Sequence, residues 1–237
     1  MSENKSYRDP KRKVGSQSEV PMLIYTDDKI IVKGYQEFTI DKKNKLIQFN
    51  KKKQKFTYIN QIMHKLNNEY NCKSLVDIGC SAGLSSFIAY NNNFINILSL
   101  DHDSEYIQIL NTIKDDCKIN NIKGHVFSFG EDIKEKFDVV FCGALIHWIF
   151  SLTANFRNFD SIISYLQSFT NNYLLIEWVA PNDGAIRILN HIKRNEKTDD
   201  EAYTTENFEN AINKAFRIVS KSAVDCSTRI LYCCKKI

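Results

Sequence analysis

From Lys73 onward, short apolar runs alternate with segments whose apolar positions recur every three or four residues. The runs at 74–78, 95–100, 124–128, 137–142 and 172–178 predict strands, several with hardly a polar break, as strands covered on both faces read. Between and after them the helical period predicts helices at 83–90, 104–119, 155–169, 183–194 and 205–215. This alternation predicts a mainly parallel α/β sheet with helices on both faces and right-handed crossovers. Two last runs, "AFRIVSKSA" and "TRILYCCKK", predict a C-terminal strand pair, making a seven-stranded sheet more fitting than a six-stranded one.

The first quarter reads differently. Phe56, Ile59, Ile62, Met63 and Leu66 share one helical face, so a helix is predicted over 53–68. Before it, "MLIYT", "KIIVKGY", "EFTI" and "KLIQF" are short β-rich runs divided by Asp-Asp and "DKKNK", which is a hairpin or meander signal. Residues 1–20 lack periodicity and read as an extended arm. The expected division is therefore 1–52, arm and meander, and 53–237, the α/β domain.

Charge sharpens this division. Residues 1–55 hold 14 Lys/Arg against 7 Asp/Glu, whereas the rest holds 18 against 21. A basic N-terminal part suits a polyanion such as RNA, or nucleotide phosphates, or only solubility. The first twenty residues have no apolar core of a signal peptide, and the nearly uncharged run 139–153 is too short to span a bilayer. Seven cysteines form no CxxC pair, so neither a disulfide framework nor a zinc site is favoured. Reduced thiols and a cytoplasmic location are the expectation.

The candidate chemistry begins at "SLVDIGCSAGLSSFIA", where a strand enters a turn of small residues and then a helix. Gly79, Cys80, Ser81, Ala82 and Gly83 allow close approach of a ligand, and the helix N-terminus adds partial positive charge. The spacing matches neither the dinucleotide GxGxxG nor the P-loop GxxxxGK[ST]. Asp77 lies at the strand end, where a carboxylate repels a pyrophosphate and holds a cation. Asp101 ends the next strand 22 residues beyond Gly79, the interval of an acid that accepts two ribose hydroxyls. A cationic, phosphate-free ligand with a ribose fits, and S-adenosyl-L-methionine is one. For the turn alone, a plain strand–helix connector is the other reading.

"VDIGCSAG" resembles the first motif of class I S-adenosyl-L-methionine-dependent methyltransferases, "LDHD" their second, and "FSFGEDI" their adenine-side loop. "FDVVFCGALIHWI" is similar to their fourth strand and its exit. The resemblance covers roughly 53–237 and implies a Rossmann-like fold preceded here by the β-meander extension. It implies that Asp77 and Gly79 lie beside the methionine end, that Cys80, Ser81 and Gly83 also bind the cofactor, and that Asp101 binds the ribose. His102 then packs near the adenine, Gly130 and Glu131 flank it, and Cys142 and Gly143 line the cofactor from the fourth strand. Ser81 departs from the family's middle glycine, and a serine can take the backbone geometry there if φ stays negative.

For the acceptor, His147 in "GALIHWIF" is the candidate general base, with packing or capping as its other role. Glu177 in "LLIEWVAPND" either orients that histidine, binds a substrate hydroxyl, or is structural. Trp148 and Trp178 are candidate walls of the substrate pocket, or core. No [DN]PPY, no Pro-Cys and no Lys-Asp-Lys-Glu tetrad can be placed, and no acids follow the fourth strand to hold a metal. Metal-independent O-methylation of a small or glycan acceptor is left.

A second resemblance agrees. "GSQSEVPMLIYTDDKIIVKGYQEF", "ALIHWIFS", "IEWVAPND" and "YTTENF…TRILY" are similar to methyltransferase modules that accompany glycosyltransferases, including some of large viruses, whose location would be the host cytoplasm. It implies a sugar hydroxyl acceptor and a glycosyltransferase domain or partner. It also implies a lid formed by the arm, with Tyr7 and Arg8 at the substrate beside Gln17, Ser18 and Glu19; a plain disordered or packing arm is the other reading. The alternatives are an RNA or nucleotide methyltransferase using the basic stretch 42–55, a small-molecule methyltransferase, or a cofactor-binding subunit without activity.

Overall fold

A computed structural model describes residues 4–6, 21–49, 54–153, 155–188 and 203–237. In chain order the strands β1 (Asn4–Ser6), β2 (Met22–Tyr25), β3 (Lys29–Lys33), β4 (Phe38–Asp41) and β5 (Ile47–Phe49) come first. Then follow α1 (Gln54–Tyr70), β6 (Ser74–Ile78), α2 (Leu84–Asn91), β7 (Asn96–Asp101), α3 (Ser104–Asp116) and β8 (Ile122–Val126). The remainder is β9 (Phe137–Cys142), α4 (Ile146–Leu152), α5 (Phe159–Ser168), β10 (Thr170–Val179) and α6 (Gly184–Ile188). It ends with α7 (Thr205–Ala215), β11 (Phe216–Val224) and β12 (Cys226–Lys236).

Five strands make an antiparallel sheet in sequence order, and seven make the larger sheet, ordered β11-β12-β10-β9-β6-β7-β8. In the larger sheet β9 runs parallel to both β6 and β10, and β7 parallel to β8, while β12 runs antiparallel to both β10 and β11. The expected seven-stranded α/β architecture is present. The chain forms two compact units, Met1–Lys73 with Cys80–Phe127, and Ser74–Gly79 with Ser128–Ile237. These units do not coincide with a division at residue 52.

In the first unit the meander exists because its strands alternate. Leu23, Ile30, Val32, Phe38 and Ile40 are buried on one face, with Val32 opposite both Leu23 and Phe38. Helix α1 buries the expected Phe56, Ile59, Met63 and Leu66. It also buries Asn67, whose amide donates to the Cys72 and Asn93 carbonyls and so fixes the entry into the α/β segment. Asp103 caps α3 by accepting from the Glu105 N–H at 3.0 Å. Strand β1 lies in the segment expected to be an extended arm, paired antiparallel with β2.

In the second unit β10 and β12 pair over seven residues, from Tyr173 opposite Lys235 to Val179 opposite Arg229. Helix α5 starts at Phe159, later than expected, because Asn158 caps it by accepting from the Ser161 N–H at 2.8 Å. Helix α4 was not predicted: its apolar residues continue those of β9, and only Gly143 marks the break. The predicted helix 183–194 is present from Gly184 to Ile188, and its remainder lies outside the described residues. Among the described residues no helix is long and apolar enough to cross a membrane. None of the seven cysteines is in a disulfide; six are buried and Cys226 is exposed.

Candidate active site

The strand order reverses between β6 and β9, and in such sheets ligands bind beyond the strand ends at that point. Both strands belong to the second unit. Asp77 is buried near the end of β6, and Gly79 follows at φ 72°. A Cβ on Gly79 would stand 2.9 Å from Leu145 Cδ2, so a side chain here would be strained by the backbone and would have to displace Leu145.

The chain then passes into the first unit through Cys80–Gly83. Ser81 adopts φ 51° and Gly83 φ 91°, both left-handed. The requirement of a negative φ for Ser81 is thus corrected: the serine keeps the conformation that the family's glycine serves. Such a backbone costs a serine roughly 1 kcal/mol or more, so the surroundings must impose it. Two hydrogen bonds do. The Ser81 N–H donates to Asp101 Oδ2 at 2.8 Å, and the Cys80 N–H donates to the Leu100 carbonyl at 3.0 Å. Buried Ser81 Oγ has no hydrogen-bond partner among the described residues. A buried hydroxyl of this kind fits a site that a ligand completes.

Asp101 also accepts from the Asp103 N–H at 3.0 Å through Oδ1. Two backbone N–H groups thus aim the carboxylate, and each oxygen keeps a further lone pair for a diol. His102 Nδ1 lies 3.3 Å from Asp101 Oδ1, with its ring 83% exposed. No Lys or Arg stands in 77–83 or at Asp101–Asp103. This donor set suits a cationic, ribose-bearing ligand and fits S-adenosyl-L-methionine.

In the second unit Gly130 has φ 107°, and a Cβ there would stand 2.9 Å from Phe156 Cε2. Exposed Glu131 accepts from the Ser128 N–H at 3.0 Å, and its carbonyl accepts from the Tyr165 hydroxyl. Cys142 is fully buried; burial first, then the Asp77 and Glu177 carboxylates, push its thiol up to about 12. It is therefore a neutral wall and not a nucleophile. The Leu145 N–H donates to the Gly143 carbonyl at 2.7 Å, turning the chain from β9 into α4.

His147 in α4 is 2% exposed, and its Nδ1 has no hydrogen-bond partner among the described residues. Burial lowers its pKa to about 4; Arg229 adds to the lowering and Asp183 opposes it. The Trp148 ring packs against it with centroids 5.4 Å apart. Glu177 on β10 is fully buried, with Arg229 Nη1 3.9 Å from Oε1. The strand register explains this contact. Arg229 is opposite Val179, two residues beyond Glu177 and hence on the same face.

Asp183 and Arg229 were given no role from sequence, although "IEWVAPND" and "TRILY" contain them. Asp183 accepts from Arg229 Nε at 3.1 Å and Nη2 at 3.2 Å, from Thr228 Oγ1 at 2.6 Å and from the Ala185 N–H at 2.8 Å. Burial alone would raise its carboxyl; these bonds and the guanidinium charge instead bring it down to about 2. The two residues are 46 apart in sequence, so only the strand pairing reveals them.

Trp178 occupies the opposite face of β10. It is 0% exposed, stacked on Tyr203 at 4.8 Å and Phe208 at 4.6 Å, with Nε1 donating to Thr205 Oγ1. Its place is the core and not a substrate wall. Tyr7, Arg8, Gln17, Ser18 and Glu19 lie outside the described residues. Of the basic stretch, Lys42 donates to the Thr26 carbonyl and Lys45 to the Lys118 carbonyl. Among the described residues no three of His, Cys, Asp and Glu are gathered as metal ligands would be.

The model of the family described as "Tellurite resistance protein TehB" matches residues 38–183. No curated protein sequence matches the chain. The structure is similar to magnesium protoporphyrin IX methyltransferase (ChlM) from Synechocystis PCC 6803 with bound SAH, at 13% identity and a TM-score of 0.58, over 77% of this chain and 83% of that one. It is similar to N-methyltransferase NodS from Bradyrhizobium japonicum WM9 in complex with S-adenosyl-L-homocysteine, at 11% identity and a TM-score of 0.57, over 76% and 86%. WbdD, solved with a kinase inhibitor, matches at 16% identity and a TM-score of 0.57, over 76% of this chain and 40% of that one. At these identities the likeness establishes the fold.

Proposed function

The chain belongs to the TehB family and is an S-adenosyl-L-methionine-dependent methyltransferase, and from that premise we propose that it methylates a hydroxyl of a sugar or glycan. The observation that carries this reading is His147, a buried neutral imidazole whose Nδ1 has no partner among the described residues. A hydroxyl acceptor must lose a proton as it takes a methyl group, and a positioned base serves that need. The likeness of "ALIHWIFS" and "IEWVAPND" to glycan methyltransferase modules supports a sugar and, with it, a glycosyltransferase partner.

The cofactor, when bound, supplies an electrophilic methyl group beside a positive sulfur. Asp77 and Asp101 would hold and orient the cofactor, and Gly130, Glu131, Cys142 and Gly143 would also contact it. His147 Nδ1 accepts the acceptor's proton during transfer, while Glu177 holds a neighbouring hydroxyl. The burial of His147 keeps out water, which would otherwise compete for that nitrogen.

The test is transfer of labelled methyl from S-adenosylmethionine to a panel of free sugars, glycans, RNA and tellurite. Label is expected on a sugar oxygen. His147→Ala is expected to lower kcat by about 10²–10⁴-fold with unchanged affinity for S-adenosylhomocysteine. Label on RNA or tellurite and on no sugar would replace this reading, and full turnover in the variant would remove His147 as the base.

A further inference from the structure

The hairpin tip between β3 and β4 reaches the helix that follows the cofactor turn. Helix α2 begins after Gly83, an N-cap with φ 91° and no side chain to offer its first N–H groups. Helices ordinarily take that cap from Ser, Thr, Asp or Asn at this position. Here the Leu84 N–H instead donates to Gln36 Oε1 at 3.3 Å, from a residue 48 positions earlier. Behind Gln36, Phe38 packs on Phe87 of α2 with ring centroids 5.8 Å apart, both side chains buried. Gly34 at φ 135° and the Lys33–Glu37 ion pair at 3.4 Å shape the tip itself.

The turn needs such support. Two of its four residues, Ser81 and Gly83, are left-handed, and Ser81 bears a side chain there. The Ser81 N–H is held by Asp101, and the Leu84 N–H at the far end is held by Gln36. The turn is thus suspended between two side-chain acceptors, one on β7 and one from the meander. The family match begins at residue 38, so Gln36 lies outside it.

We propose that Gln36 is a positioning residue of the cofactor site: by capping α2 it fixes the turn Cys80–Gly83 in its binding conformation and so sets cofactor affinity. The meander is then part of the binding apparatus. This rests on the cofactor reading alone and is indifferent to the acceptor.

The experiment is calorimetric titration of the full chain with S-adenosylhomocysteine, beside thermal melting without ligand. Gln36→Ala is expected to weaken binding about tenfold, ~1.4 kcal/mol, as loss of one capping bond implies. Gln36→Glu keeps an acceptor oxygen and is expected to bind within about threefold of the parent, a rescue that loss of packing would not give. Unchanged affinity in Gln36→Ala overturns the proposal while leaving the cofactor reading intact. Equal loss in both variants, tracking a lower melting temperature, also overturns it. Absence of binding by the parent chain overturns both.

Discussion

Arg229 meets Asp183 through two nitrogens, Nε to Oδ2 at 3.1 Å and Nη2 to Oδ1 at 3.2 Å, and turns its third towards Glu177 at 3.9 Å. One guanidinium therefore serves two buried carboxylates, Glu177 on β10 and Asp183 in the turn beyond it, and its charge also acts on His147. The Arg229 side chain is 25% exposed, whereas the carboxylates are almost wholly enclosed. Its position is fixed by the antiparallel pairing of β12 with β10, so the C-terminal strand pair builds the candidate acceptor side as well as the sheet edge.

Removing the cation leaves both carboxylates enclosed without their shared partner. Arg229→Met is expected to destabilise the fold by about 3 kcal/mol, the usual scale for breaking a buried pair from one side. Asp183→Asn should cost less, because the guanidinium keeps Glu177. Urea unfolding of both single variants and the double variant measures the coupling. Additive effects would show that the pair contributes nothing jointly.

The His147 shift makes a signed prediction about pH. In the unfolded chain the imidazole takes up a proton near its ordinary 6.5, whereas in the fold it does so only near 4. Between those values the unfolded state binds the extra proton, so stability falls as pH falls. The full loss is about 3 kcal/mol from 2.5 units at 1.36 kcal/mol each. Lowered Asp183 and Glu209 lose their stabilisation only as pH falls through their ordinary values of 3.8 and 4.5, so they add little between pH 7 and pH 5. Urea midpoints at pH 7 and pH 5 should therefore differ in the parent chain and differ much less in His147→Gln. A parent chain equally stable at both would show that His147 is not enclosed.

At the turn, conformational cost decides the outcome. Ser81→Gly removes a side chain from a left-handed position and should raise stability by up to about 1 kcal/mol. Gly83→Ala places a Cβ 2.6 Å from Leu110 Cδ1 at φ 91°, and should cost more than about 2 kcal/mol. Melting temperatures of the two variants should move in opposite directions. A drop for Ser81→Gly would mean that the orphan hydroxyl has a structural role.

Much of the architecture was legible because its signals are local. The strands 74–78 and 137–142 and the helix 205–215 are present over the expected residues, since each has a mostly apolar run or a helical face with a cap. Asp77 and Asp101 could be paired by interval, because a strand and a helix of standard length separate them. Three things lacked a local signal. Helix α4 continues the apolar run of β9, so period alone does not part them. The left-handed Ser81 is imposed by Asp101, a tertiary partner. Arg229, Asp183 and Gln36 act across 46 to 48 residues, where only register and folding bring donor to acceptor.

Trp178 separates core from site on a single strand. It sits next to Glu177, yet adjacent strand residues face opposite sides, and its ring stacks between Tyr203 and Phe208 at interplanar angles of 22° and 17°. Phe159 closes the cluster edge-on at 5.6 Å. Trp178→Ala opens a large void there and should cost about 3–5 kcal/mol. Trp178→Phe keeps most of the stacking and should cost less, losing chiefly the bond to Thr205. Neither change touches the face of β10 that carries Glu177, so the folded fraction of Trp178→Phe should keep the parent KM for its acceptor. Chemical unfolding gives the first comparison and steady-state kinetics the second; a raised KM with unchanged stability would return Trp178 to the substrate pocket.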